Sequence, residues 1–208
     1  MRAGTIGLPF PQSLGENGFR PAMADVAAAL NWVYTKGPAY GLSTGTVAVM
    51  GFSAGGTMAA LAGMAANTSD PLFAGLPTVD GWVAVSAPLD WDSFADGPRW
   101  GEVWMGDHFA SDRHRSNPIT HFDTADPPGY LLFGVNDGIV PVENVRAFHQ
   151  HARSMGQDGD FRLMVDIVDR LADGRPMVPS VIGQPDPRNH HPSGGMNAAW
   201  FDMWLDDR

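Results

Sequence analysis

The chain has 208 residues, 44% hydrophobic and 17% charged, enough for one globular domain with a substantial core and unlike a disordered chain. Its net charge of −10, with Lys36 as the one lysine, makes it a poor candidate for gripping a phosphate backbone, so no nucleic-acid partner is expected. With no cysteine, disulfides, thiolate zinc sites and a cysteine nucleophile are excluded. No segment reads as a membrane span. The opening MRAGTIGLPFPQ lacks the apolar core of a leader peptide, which reads as cytoplasmic, although a cysteine-free chain is equally compatible with export.

Residues 3–10 hold a short apolar piece that ends at Pro9-Phe10-Pro11. A helix is predicted over about 21–36, with Pro21 in its first turn and an apolar stripe of Met23, Val26, Ala27, Leu30, Val33 and Tyr34; Gly37-Pro38 stops it. A strand over 46–50 is followed by a small-residue helix over 57–66. Trp82 to Ser86 reads as a buried strand, closed by Pro88. Residues 91–117 form a mixed region rich in aromatics, including Trp91, Phe94, Trp100, Trp104 and Phe109. Further on come a strand over 130–134, a helix over 141–155 with Val142, Val145, Phe148 and Ala152 on one side, and a strand over 161–168. A Pro-rich loop over 171–189 precedes a last helix over 198–205, where Trp200 and Trp204 lie four apart. Strands alternating with helices imply parallel βαβ units, hence an α/β fold whose mostly parallel sheet is covered by helices on both faces. One domain over 1–208 is expected, with 91–117 as a candidate cap or pocket wall.

The stretch Thr46 to Ala66, TVAVMGFSAGGTMAALAGMAA, organises this pattern: an apolar strand, the turn Gly51-Phe52-Ser53-Ala54-Gly55, and a helix. In that context Gly-x-Ser-x-Gly strains the serine backbone and lifts its hydroxyl above the sheet. Gly51 and Gly55 are expected where a Cβ would collide with the neighbouring strand or helix. The Ala54 N–H, at the helix N-terminus, would then face an oxyanion formed on a carbonyl attacked by Ser53. With 25 glycines in the chain, the bare five-residue motif would arise by chance in roughly one such chain in six, so the strand and helix around it carry the weight.

A serine hydroxyl needs a base, and the base an orienting carboxylate. In parallel α/β sheets such groups collect at the carboxyl ends of strands. Asp137 lies just past the strand 130–134; beside Gly138 it would, taken alone, read as an ordinary turn aspartate. His190 and His191 are the histidines after the last predicted strand, in RNHHPSGG before the final helix. The order Ser, Asp, His fits this architecture. His149 and His151 read as surface residues of a helix, and His121 as structural.

With these residues assembled, the chain resembles an α/β-hydrolase of the esterase and lipase type, close to small carboxylesterases and acetyl or feruloyl esterases. The resemblance rests on residues 19–33 (FRPAMADVAAALNWV), 47–62 (VAVMGFSAGGTMAALA), 116–156 (SNPITHFDTADPPGYLLFGVNDGIVPVENVRAFHQHARSMG) and the terminal HH…AAWFDMWL. It implies Ser53 as nucleophile, Asp137 as acid and His191 as base, with His190 the alternative because no His-Gly-Phe fixes the register. Asp90, after the strand at 82–86, is a reserve acid. It also implies a small-molecule ester substrate and no cofactor. Relatives carry a His-Gly-Gly loop on earlier strands that is missing here, so the sheet is expected to be shortened at its N-terminal side. A second oxyanion donor would then come from Gly4 to Gly7, or from a homodimer that completes the sheet, or the chain is a truncated form. A catalytically silent scaffold and an amidase or peptidase on the same fold are the rival readings. Asp107, His108, Asp112 and His114 cluster in sequence, but their spacing matches no standard metal pattern, and a solvated loop is expected there.

Overall fold

Four apolar runs build one parallel sheet. The computed structural model describes residues 19–93, 109–137, 139–156 and 163–168. Within them lie α1 (Phe19–Lys36), β1 (Ala48–Phe52), α2 (Ala54–Met64), β2 (Gly81–Val85), the short α3 (Phe109–Asp112), β3 (Gly129–Gly134), α4 (Val142–Ser154) and β4 (Leu163–Val168), with single 3-10 turns between. The strands pair in chain order, β1-β2-β3-β4, and every pairing is parallel. Phe52 pairs with Val85, and Val85 with Leu132, so the carboxyl ends of β1, β2 and β3 finish side by side. At the other end Asp80 clamps the entry to β1: its carboxylate and its N–H bond the Val47 N–H and C=O, each at 2.7 Å.

Helices α2 and α4 lie on the same face of the sheet. Ala60 and Met64 of α2 and Val145, Phe148 and Ala152 of α4 share a core with Trp82, Ala84, Leu131 and Phe133. Trp82 is fully buried edge-on to Phe148, and its ring occupies the space left by two glycines: a Cβ at Gly63 or at Gly129 would fall 2.2 Å from it. The α1 stripe predicted from sequence packs on α2, with Phe19, Met23 and Leu30 buried among Leu61, Ala62, Ala65 and Phe73. The opposite face carries Val83, Val85 and Tyr130, all buried. The helix expected at 198–205 lies outside the described residues, as do the 3–10 piece and the 171–189 loop.

Several boundaries move, with consequences for the site. Among the described residues α1 already includes Phe19, two residues before the expected start, and Phe19 is buried. Strand β1 runs to Phe52, and α2 starts at Ala54 rather than at residue 57, so the whole reversal falls on Ser53. Burial is complete along β2 but not along β1 or β4, where Met50 is 45% and Met164 36% exposed; among the described strands these two are the edges. No helix among the described residues is long and apolar enough to cross a membrane.

Candidate active site

Ser53 has φ 53° and ψ −125°, a conformation that non-glycine residues avoid and that costs on the order of 1–3 kcal/mol. Three contacts hold it there. The Ser53 N–H donates to Val85 O at 2.9 Å, and Ser53 O accepts the Thr57 N–H at 3.1 Å, the first bond of α2. Thr57 in turn is anchored by its hydroxyl, which donates to Pro88 O at 2.7 Å. The N–H groups of Ala54, Gly55 and Gly56 precede that first bond and fall among those a helix leaves without an internal partner. Helix and strand touch at Gly51, where a Cβ would lie 2.0 Å from Gly55 O. The expectation for Gly55 is corrected: no described atom lies within 4 Å of a Cβ placed there. The crowded partner is Gly56, whose Cβ would meet Ala87 Cβ at 2.7 Å and Gly51 O at 2.9 Å.

Asp137 sits past the end of β3 and is only 8% exposed. Its Oδ1 accepts the N–H groups of Ile139 and Val140, both at 2.9 Å, so the turn reading was right for that oxygen. Its Oδ2 is buried and has no hydrogen-bond partner among the described residues. Uncompensated burial of a carboxylate oxygen is costly, and such an atom marks the seat of a donor. Two inter-strand spacings separate β1 from β3, about 10 Å, too far for Ser53 to bond Asp137 directly and wide enough to admit an intervening ring. Exposed Val135 and Ile139, at 43% and 52%, flank Asp137.

A family model described as BD-FAE matches residues 12–152. The chain belongs to the BD-FAE family, a group of α/β-hydrolase esterases. This BD-FAE chain is 30% identical over 148 residues to "Esterase LipC" of Mycobacterium tuberculosis, covering 64% of itself and 36% of that protein. It is 29% identical over 147 residues to "Probable carboxylic ester hydrolase LipM" of the same organism, covering 34% of it. The chain thus spans about a third of the length of these relatives. Among solved structures it resembles a truncated carbohydrate esterase from gut microbiota, with TM-score 0.63 and 18% identity over 88% of this chain and 67% of that one. It also resembles a butyrate-bound thermophilic esterase of Thermogutta terrifontis, with TM-score 0.61 and 18% identity over 90% of this chain and 64% of that one. These likenesses support the α/β-hydrolase fold.

Of the other residues singled out in the BD-FAE chain, His190 and His191 lie outside the described residues, as do Gly4 to Gly7. Asp90 is buried and occupied: its Oδ1 accepts the Asp92 N–H at 3.0 Å and an Asn117 amide hydrogen at 3.3 Å. His121 is structural, as expected: its ring stacks edge-on to Phe73, its Nε2 lies 2.7 Å from Arg115 O, and burial pushes its pKa down. His149 and His151 are half-buried rather than surface residues of α4. Trp91 belongs to the core: its N–H donates to Asn117 Oδ1 and its Nε1–H to Ser116 Oγ. Residues 94–108 of the expected pocket wall fall outside the described residues.

The solvated-loop expectation for Asp112 is also corrected. Its carboxylate is buried and takes both Arg20 Nε at 2.6 Å and Nη2 at 2.8 Å, which pins the start of α1 to α3. That hydrogen-bonded guanidinium lowers its pKa against the opposing effect of burial. Among the described residues no group of three or more His, Asp or Glu is placed to hold a metal ion; Asp107 and His108 are not among them. Sequence reasoning missed Asn144. It is fully buried on α4, its Oδ1 accepting the Leu89 N–H at 2.7 Å and its Nδ2 donating to Asp90 O at 2.6 Å and Ser93 Oγ at 2.9 Å. An asparagine four residues before Phe148, on the apolar side of a helix, was the available signal. Ser86 was missed too. It has φ 46°, is 1% exposed, and its hydroxyl has no partner among the described residues.

Proposed function

We propose that this chain hydrolyses carboxylic esters of small acyl or aryl groups through an acyl-enzyme. Ser53, deprotonated by His191 or by its neighbour His190, attacks the ester carbonyl. The Ala54 N–H receives the developing oxyanion. The imidazolium, held by Asp137 Oδ2, protonates the leaving alcohol, and water repeats the sequence on the acyl-enzyme. The observation that carries this reading is the pairing of a strained serine at the β1–α2 bend with a buried, unpartnered carboxylate oxygen two strands away. Membership of an esterase family and the esterase names of the relatives support it. The reading needs no cofactor.

Labelling with a fluorophosphonate probe, followed by mapping of the modified residue, tests the nucleophile, and turnover of p-nitrophenyl acetate tests the reaction. Modification at Ser53, with turnover abolished in Ser53→Ala, is expected. Equal turnover by wild type and Ser53→Ala would remove the enzyme reading and leave a hydrolase-fold scaffold. Turnover of p-nitroanilides but not of esters would move the chain to the amidases. Strand β1 is an edge among the described strands, and a homodimer completing the sheet along it belongs to the same reading. Sedimentation that finds only monomer at micromolar concentration would remove that part.

A further inference from the structure

The peptide unit joining Val85 to Ser86 links the two halves of the site. Its carbonyl accepts the Ser53 N–H at 2.9 Å, and its N–H donates to Leu132 O at 2.9 Å. One rigid plane therefore ties the nucleophile's backbone to the strand that delivers Asp137. The next residue, Ala87, fills the space over Gly56 at the start of α2. Ser86 thus stands at the end of β2, between the strand of Ser53 and the strand of Asp137.

Two features of Ser86 have no explanation in packing. Its backbone is left-handed at φ 46°, where glycine or asparagine is the undemanding choice. Its hydroxyl is buried and unpartnered, although any serine in a strand-end turn could turn toward a backbone acceptor. The described residues hold three such orphaned side-chain atoms: Ser86 Oγ, Asp137 Oδ2 and Asp126 Oδ1. Asp126 precedes β3, at the opposite end of the sheet. The two left at the site end are chemically complementary, since a hydroxyl donates and a carboxylate oxygen accepts at more than one lone pair.

We infer that Ser86 is a positioning residue of the esterase reaction, its hydroxyl donating to Asp137 Oδ2, directly after rotation about Cα–Cβ or through one bound water, alongside the base. The inference rests on the ester-hydrolase reading for its consequence in turnover, but not for the contact itself. The hydroxyl would hold the carboxylate in one orientation and draw off part of its charge. The imidazole it holds would then be less basic. Other charged groups on the elements around Asp137 are engaged elsewhere: Asp90 with the Asp92 N–H and Asn117, Glu143 with Arg146 on α4, and Asp166 of β4 with the Tyr130 hydroxyl. The base from the 190–191 pair would join them.

Ser86→Ala and Ser86→Gly separate the hydroxyl from the backbone. Both remove the donor; the glycine also relieves the left-handed strain, so it guards against misfolding. The contact is read without any turnover, by the carbon NMR resonance of the Asp137 carboxyl in the full chain at neutral pH. A displaced carboxyl resonance is expected in both variants, since each removes the hydroxyl donor. An unchanged carboxyl resonance in the folded Ser86→Gly protein would overturn the inference, whether or not the chain is an esterase. In turnover, kcat should fall about 3- to 30-fold with KM little changed, and the acid limb of the pH profile should move to higher pH. Wild-type kcat and an unmoved acid limb in Ser86→Gly would reduce Ser86 to a structural residue. A wild-type chain that fails to label at Ser53 would instead count against the ester-hydrolase reading, leaving the carboxyl resonance to decide the contact.

Discussion

Replacing Gly51 and Gly55 one at a time tests how the β1–α2 bend is built. A Cβ on Gly51 would stand 2.0 Å from Gly55 O, 2.2 Å from Gly55 C and 2.6 Å from Gly56 N. All three are backbone atoms, so no rotamer change makes room. Strand and helix would have to part by about 1.5 Å to restore ordinary contact. That movement strains the bond from Ser53 N–H to Val85 O and lifts Gly56 from Ala87. Overpacking of this kind costs about 1–3 kcal/mol and the weakened hydrogen bond about 1 kcal/mol more, so Gly51→Ala should lose roughly 2–4 kcal/mol. Gly55→Ala meets no described atom, and in the first turn of a helix it should gain up to about 0.4–1 kcal/mol. Urea unfolding followed by tryptophan fluorescence measures both. A Gly55→Ala protein as damaged as Gly51→Ala would mean that Gly55 is hemmed in after all, and would refute the contact map of the bend.

Three further outcomes follow from buried polar groups. Burial raises the Asp126 carboxyl from 3.8 to about 7, against the Asp123 N–H it accepts and with a smaller push from the Asp123 charge. The folded chain therefore holds a proton that the unfolded chain releases, and stability should fall as pH rises from about 4 to about 7, then level off. Asp126→Asn should remove that fall and raise stability at pH 8 by about 1–2 kcal/mol after allowance for solvent screening; thermal melts at pH 4 and pH 8 check it, and an equal gain at both would contradict the cause. Asp112 behaves oppositely: its pKa is held below 3.8 by Arg20, so its contribution is present above that value and is lost as pH falls through the folded pKa. Asp112→Asn should melt earlier than wild type at pH 6, with the gap closing in acid. Asn144→Ala would strand the buried Leu89 N–H and Asp90 C=O and should cost about 3 kcal/mol or more, measured by urea unfolding.

What the sequence disclosed was local. The α1 stripe, the apolar strands and the strand–turn–helix around Ser53 each lie within about twenty consecutive residues, and each took shape near its expected place. The polar residues that fasten the site were legible poorly or not at all, because their partners are distant in the chain. Asp112 meets Arg20 across 92 positions, and Asn144 meets Leu89 across 55. No periodicity encodes such pairings, and an aspartate in a hydrophilic stretch reads as solvated until its guanidinium is found. Gly55 was misread for a related reason. The five-residue motif names two glycines, while the contact that needs a bare backbone is made by Gly51 against the Gly55 carbonyl and by Gly56 against Ala87. Asp137 shows how a modest reading and a functional one share a residue: Oδ1 closes the turn, which sequence could suggest, and Oδ2 is left over, which only coordinates reveal.

The strain at Ser53 gives a last measurement. If the bend imposes φ 53° regardless of the side chain, Ser53→Ala keeps the strain and Ser53→Gly releases it. At an unstrained position the glycine variant would be less stable, by about 0.4–1 kcal/mol, because its unfolded chain is freer. At a position strained by on the order of 1–3 kcal/mol the sign reverses, and Ser53→Gly should match or exceed Ser53→Ala. Both variants lack the hydroxyl, so any difference in turnover drops out and the comparison reads backbone energy alone. An alanine variant clearly more stable than the glycine variant would mean that the chain relaxes at the bend. The serine would then owe its position to nothing that Val85 O, Gly51 and Gly56 impose, and the account of how this fold holds Ser53 at the bend would fail with it.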